Sequence, residues 1–155
     1  MPLPKLIALA NAATADRAAA ASVKTYLFVC VHNAGRSQMA EAFLNHYAAL
    51  HGLNVRGLSA GTVGGKGLNP VAVQAMDEMG ISMHGQAPKI LTQYMLGSET
   101  SVITMGCGVD AEACPAKFLV TDDWGLDDPA GQALEAVRKV RDEIDRRIRN
   151  LLQIP

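Results

Sequence analysis

The chain has 155 residues, 49% hydrophobic and 19% charged, which supplies a real core for one ordinary domain and excludes an intrinsically disordered chain. A formal net charge of −1 removes the basic excess of a general nucleic-acid binder, and no apolar run approaches the roughly 20 residues that span a bilayer. Three cysteines are an odd number and too few for a disulfide scaffold, which points to a reducing, cytoplasmic setting where thiols do chemistry.

The first 23 residues read as an alanine-rich extension, helical over residues 5–21 because alanine has the best helix propensity. A signal peptide fits poorly there, since the apolar run Leu6–Ala10 is shorter than the 7–15 residues of an h-region. The domain proper is expected over 24–155. Lys24 to Cys30 is a β-rich strand suited to the centre of a sheet. A polar loop leads to a helix over about 36–50, with Met39, Ala40, Phe43, Leu44 and Tyr47 marking its buried face. Asn54 to Ser59 reads as a second strand, followed by a glycine-rich loop over 60–68. Asn69 then caps a helix with Pro70 at its first position, ending before Gly80. A short helix over 90–96, a third strand over 101–105, a fourth over 118–121 and a last helix over 131–152 complete the chain. Strands alternating with helices predict an α/β fold, a parallel sheet with helices on both faces.

The segment Cys30-Val31-His32-Asn33-Ala34-Gly35-Arg36-Ser37 places a cysteine at the end of a buried strand and an arginine at a helix N-terminus. A loop curled there aims consecutive backbone N–H groups inward, and the helix dipole adds positive charge. Such a cradle fits a tetrahedral oxyanion, which Arg36 can grip with its planar fork. An unperturbed thiol with pKa about 8.5 is roughly 3% thiolate at pH 7, and the field of this loop favours the thiolate. Ser37 is placed to donate to the sulfur, and Asn33 to brace the loop.

From Thr25 to Leu152 the chain resembles the low-molecular-weight tyrosine phosphatase superfamily, and within it the thioredoxin-coupled arsenate reductases. The resemblance rests on V-C-V-H-N-A-G-R-S-Q-M-A-E at 29–41, S-A-G at 59–61, N-P at 69–70 and W-G-L-D-D-P at 124–129. It implies a four-stranded parallel sheet flanked by helices, a three-layer sandwich, with the oxyanion loop after the first strand. It also implies Cys30 as nucleophile, residues 31–37 as the oxyanion-binding loop with Arg36, and Asp128 as proton donor to the leaving oxygen.

Both branches of the superfamily share that loop, and Cys107 and Cys114 separate them. Cysteines seven apart on a helix lie about 10.5 Å apart along its axis. A disulfide needs Cα atoms within about 7 Å, so the segment between them must unwind for the pair to bond. Gly108 weakens such a helix and Pro115 lies just outside the pair. Cys-x6-Cys is not a usual zinc spacing, and no metal or cofactor is expected. The pair resembles the redox relay of the arsenate reductases, which implies a Cys107–Cys114 disulfide reduced by thioredoxin. Relatives that use mycothiol or glutaredoxin as donor leave Cys114 dispensable. After Pro129 stand Ala130 and Gly131, where the phosphatases typically carry an aromatic residue, which makes arsenate a better substrate than phosphotyrosine, with phosphate and sulfate as competing oxyanions. A tyrosine phosphatase is the alternative, and a non-catalytic oxyanion or redox sensor the third reading.

Some members of the superfamily hold potassium near the loop with equivalents of Asn33, Glu41 and Ser59 plus a downstream aspartate. Residues 85–89 contain no acid, and Lys89 can supply the cation directly. The stretch Gly61–Gly67 imitates a nucleotide P-loop but has Ala60 where the first glycine belongs and Gly67 where Ser or Thr would hold magnesium. The basic residues between Arg138 and Arg149 read as the solvated face of the last helix, and Trp124 as an anchor for the acid loop.

Overall fold

The computed structural model describes residues 23–106 and 121–155. The expected N-terminal helix and the pair Cys107 and Cys114 lie outside the described residues. Four parallel strands form one sheet in the order β2-β1-β3-β4: β1 Lys24–Cys30, β2 Val55–Gly61, β3 Thr100–Thr104 and β4 Asp122–Asp123. Three α-helices stand among the described residues: α1 Arg36–His51, α2 Pro70–Asp77 and α3 Leu134–Leu152. None of them is long and apolar enough to cross a membrane.

β1 is the central strand, paired on both sides, and both faces of it are buried. Phe28 and Cys30 join Met39, Phe43 and Leu44 of α1, Ala75 and Met76 of α2, and Val137, Ile144 and Ile148 of α3 in the larger core. Leu27 and Val29 point the other way, into a smaller cluster with Ala60, Leu91 and Val102. This alternation of two apolar faces is what a central parallel strand requires.

The structure departs from the expected elements where tertiary pairing overrides local pattern. β2 runs on through Ala60 and Gly61, because Gly61 is the register partner of Cys30. The segment expected as a helix over 90–96 holds only a 3-10 turn, Gln93–Met95. Its start is committed elsewhere: Gly61 N–H donates to Lys89 O and Leu91 N–H to Gly61 O, which keeps residues 89–91 extended. The fourth strand is two residues, Asp122–Asp123, rather than 118–121, of which 118–120 lie outside the described residues. The last helix begins at Leu134 and not at Gly131, whose φ of +71° belongs to a turn. By contrast, Asn69 caps α2 as expected, its Oδ1 accepting from the N–H groups of Val71 and Ala72 with Pro70 at the first helical position.

Trp124 is buried, its ring centroid 5.6 Å from that of Phe28, with the Arg147 guanidinium over the ring at 5.8 Å from its centroid. Its Nε1–H donates to Asp122 Oδ2 at 3.1 Å, so the residue pins the segment that follows β4. The arginines of α3 are occupied within the fold: Arg138 pairs with Glu78, Arg146 and Arg147 with Glu143, and Arg149 with Asp145.

Candidate active site

β1 ends at Cys30 and α1 begins at Arg36, so five residues must reverse the chain at the C-terminal edge of the sheet. The turn is possible because Asn33 adopts φ +54°, a left-handed conformation that asparagine tolerates better than most residues. The loop is held from outside by its carbonyls. Cys30 O accepts from Thr62 N–H, Val31 O from Val63 N–H, Ala34 O from Asn69 N–H and Gly35 O from Met39 N–H. Asn33 O accepts from Gln38 Nε2. Carbonyls turned outward leave the amides turned inward, and Asn33 N–H reaches Cys30 Sγ at 3.2 Å.

Polar side chains buried beneath the loop complete it. Ser37 Oγ lies 2.8 Å from Cys30 Sγ and accepts from Asn33 Nδ2 at 2.8 Å. Asn33 Oδ1 accepts from Gln38 Nε2 at 2.8 Å and from Lys89 N–H at 2.9 Å, and Gln86 Nε2 donates to Gln38 Oε1 at 2.7 Å. Ser37 and Asn33 are fully buried, and a network of this kind is stable only when each member is satisfied. Lys89 Nζ lies 3.5 Å from Glu41 Oε1, which also accepts from Ser59 Oγ at 3.0 Å. The glycines behind the loop have a steric role. A Cβ on Gly61 would stand 2.6 Å from Val31 O, and one on Gly65 2.4 Å from His32 O.

Arg36 is buried, and two backbone carbonyls orient its guanidinium. Nη1 donates to Leu126 O at 2.9 Å and Met105 O at 3.3 Å, and Nη2 lies 3.6 Å from Asp128 Oδ2. Asp128 is itself exposed and its Oδ1 accepts from Ala130 N–H at 2.9 Å. Cys30, His32, Ala34, Gly35, Arg36, Asp128 and Pro129 line one cavity of about 360 Å³, together with Leu68, Asn69 and Pro70.

The structure therefore brings Cys30, Arg36, Asp128 and the 31–37 loop together. Asn33 and Ser37 are fully buried beneath it, while the His32 side chain is exposed. Ala130 and Gly131 also line the cavity, and no aromatic residue lines it among the described residues. Gln38, Gln86, Gly61 and Gly65 support the loop without having been singled out by the sequence. The runs at 29–41 and 59–61 contained Gln38 and Gly61, whereas Gln86 carried no signal.

The profile of the family described as low molecular weight phosphotyrosine protein phosphatase matches residues 25–154. The chain belongs to that family. Among curated relatives of this chain, arsenate reductase 1 of Bacillus cereus is 39% identical over 128 residues, 81% of this chain and 92% of the relative. The glutaredoxin arsenate reductase of Synechocystis is 34% identical over 132 residues, 84% of this chain and 97% of the relative. Among solved structures, the thioredoxin-dependent arsenate reductase of Corynebacterium glutamicum superposes with a TM-score of 0.66 at 37% identity, over 84% of this chain and 61% of that one.

Proposed function

We propose that this phosphatase-fold protein is an arsenate reductase that works in the cytoplasm through three cysteines and is regenerated by thioredoxin. The observation that carries the reading is the convergence of Ser37 Oγ and the Asn33 N–H on Cys30 Sγ, at 2.8 and 3.2 Å, in a cavity shared with Arg36 and Asp128. Two donors aimed at one sulfur favour the thiolate, the nucleophilic form. The relatives named arsenate reductases support the substrate, and the small residues Ala130 and Gly131 in the cavity lining support an inorganic oxyanion over an aryl phosphate.

The chemistry balances in three steps. Cys30 thiolate attacks arsenate held by the loop amides and Arg36, forming an S–As bond while the departing oxygen leaves as water, protonated by Asp128. Cys107 thiolate then attacks Cys30 Sγ. An S–S bond forms, the S–As bond breaks, and its electron pair stays on arsenic, which leaves as arsenite, two electrons reduced. Cys114 next attacks Cys107, releasing Cys30 thiolate and leaving a Cys107–Cys114 disulfide for thioredoxin to reduce.

Arsenate-dependent NADPH oxidation, measured with thioredoxin and thioredoxin reductase supplied, tests the reading. Turnover that disappears in Cys114→Ser supports the relay and the donor together. Turnover retained in Cys114→Ser refutes the last step, and turnover only with glutaredoxin or mycothiol supplied refutes the donor. Efficient hydrolysis of p-nitrophenyl phosphate with no arsenate reduction refutes the activity.

A further inference from the structure

Arg36 is aimed by backbone that belongs to neither the loop nor its own helix. Both carbonyls on Nη1, Met105 O and Leu126 O, lie on segments leaving the C-terminal edge of the sheet. The Met105 carbonyl and the Gly106 N–H are the two ends of one planar peptide unit, so whatever fixes the N–H also fixes the direction of the C=O. That N–H donates to Asp123 Oδ1 at 2.9 Å, and the same oxygen accepts from Thr104 Oγ1 at 2.7 Å. Gly106 is at φ +74°, and a Cβ on it would stand 2.4 Å from Gly125 Cα, so the two glycine backbones are in direct contact. The junction is closed by Leu126 N–H donating to Met105 O at 3.2 Å and Trp124 N–H to Thr104 O at 2.9 Å. A glycine-containing peptide plane rotates easily unless something holds it.

We propose that Asp123 is a positioning residue for Arg36. Its carboxylate holds the Met105–Gly106 peptide plane so that the carbonyl engages Nη1, which leaves Nε and Nη2 as the fork for the oxyanion. The proposal rests on the reading that Arg36 binds the oxyanion. Position and charge act in opposite directions here. A carboxylate near an anion site weakens anion binding by its charge, whereas loss of the clamp weakens binding by releasing the guanidinium.

Calorimetric titration of the reduced full-length protein with inorganic phosphate separates the two. Asp123→Ala is expected to raise the phosphate Kd by about three- to tenfold, the worth of one ordinary intramolecular hydrogen bond. Asp123→Asn removes the charge but keeps an acceptor oxygen, and recovers most of the affinity. The Arg36 Nε–H NMR resonance is expected to be sharp in the wild-type protein, to broaden in Asp123→Ala and to sharpen again in Asp123→Asn. A Kd in Asp123→Ala within twofold of wild type, or tighter, overturns the proposal, as does equal weakening in the alanine and asparagine variants. Should Asp123→Ala fail to fold, Asp123→Glu decides: its carboxylate is displaced by one methylene, and an unchanged Kd there is equally fatal. Arg36→Ala is the control for the underlying reading. If it binds phosphate as well as wild type, Arg36 is not the oxyanion ligand. If it loses binding while Asp123→Ala does not, only the role of Asp123 falls.

Discussion

Replacing Gly61 with alanine tests whether the oxyanion loop is held by the strand beneath it. Gly61 pairs with Cys30 across the β1–β2 ladder, and a Cβ there would stand 2.6 Å from Val31 O, 3.0 Å from the His32 carbonyl carbon and 3.1 Å from Asn33 N. All three are backbone atoms, so no side-chain rotation relieves the clash. Relief to an ordinary separation near 3.4 Å moves the loop by about 0.8 Å. Overpacking of this kind costs about 1–3 kcal/mol, and 2 kcal/mol lowers Tm by about 4–8 °C for a chain of this size. Misplacement of reacting groups by about 1 Å costs on the order of 100-fold in rate, so arsenate turnover and phosphate affinity should both fall by at least about tenfold. Differential scanning calorimetry and phosphate titration read the two effects separately. Gly85→Ala is the comparison, because a Cβ there has no atom within 4 Å and should change stability by less than about 0.5 kcal/mol. A Gly61→Ala protein with wild-type Tm and phosphate Kd would refute the argument that steric fit behind the loop sets its shape.

Ser37→Ala removes the hydroxyl 2.8 Å from Cys30 Sγ and leaves Asn33 Nδ2 without that acceptor. A hydrogen bond to a charged group is worth about 1.5–3 kcal/mol, so iodoacetamide alkylation of Cys30 at pH 6 should slow by about tenfold or more; an unchanged rate would mean the hydroxyl does not support the thiolate. The Tyr47 phenol is pushed up from 10.0 to about 12, first by burial and then by its hydrogen bond to Asp145. A group whose pKa is raised by folding contributes stability below its unfolded value and loses it as pH rises through the folded value, so a loss of stability between about pH 10 and 12 is expected and should be absent in Tyr47→Phe. Chemical denaturation across that range, with the two proteins side by side, checks it.

Elements set by adjacent residues were more legible in the sequence than those set by distant pairing. β1, the helix that starts at Arg36, and the Asn69–Pro70 cap all depend on residues adjacent in sequence, where propensity and capping chemistry act. The two aspartates of β4 have low strand propensity, and their place in the sheet comes from pairing with Ile103 and Thr104. The extension of β2 through Gly61 has the same origin, since a glycine reads as a breaker until Cys30 is known to lie beside it. At the site, the C-x5-R spacing exposed the cysteine, the arginine and the amide cradle. Nothing in the sequence connects Gln86 to Gln38 across 48 residues, because a glutamine has no directional preference until tertiary structure brings its partner near.

The outward hydrogen bonds of the loop carbonyls have a consequence for variation. Apart from Arg36, the donors that the loop would turn toward an oxyanion are main-chain groups, and their direction is fixed by Thr62, Val63, Asn69 and Met39 through the backbone, and by the Gln38 side chain. The side chains of Val31, His32 and Ala34 do not set those directions. These positions therefore do not determine the direction of the amides, while His32 and Ala34 line the cavity itself. Anion capture and choice of second reactant are separable traits in this architecture: the first can stay constant while the rim alone is rewritten.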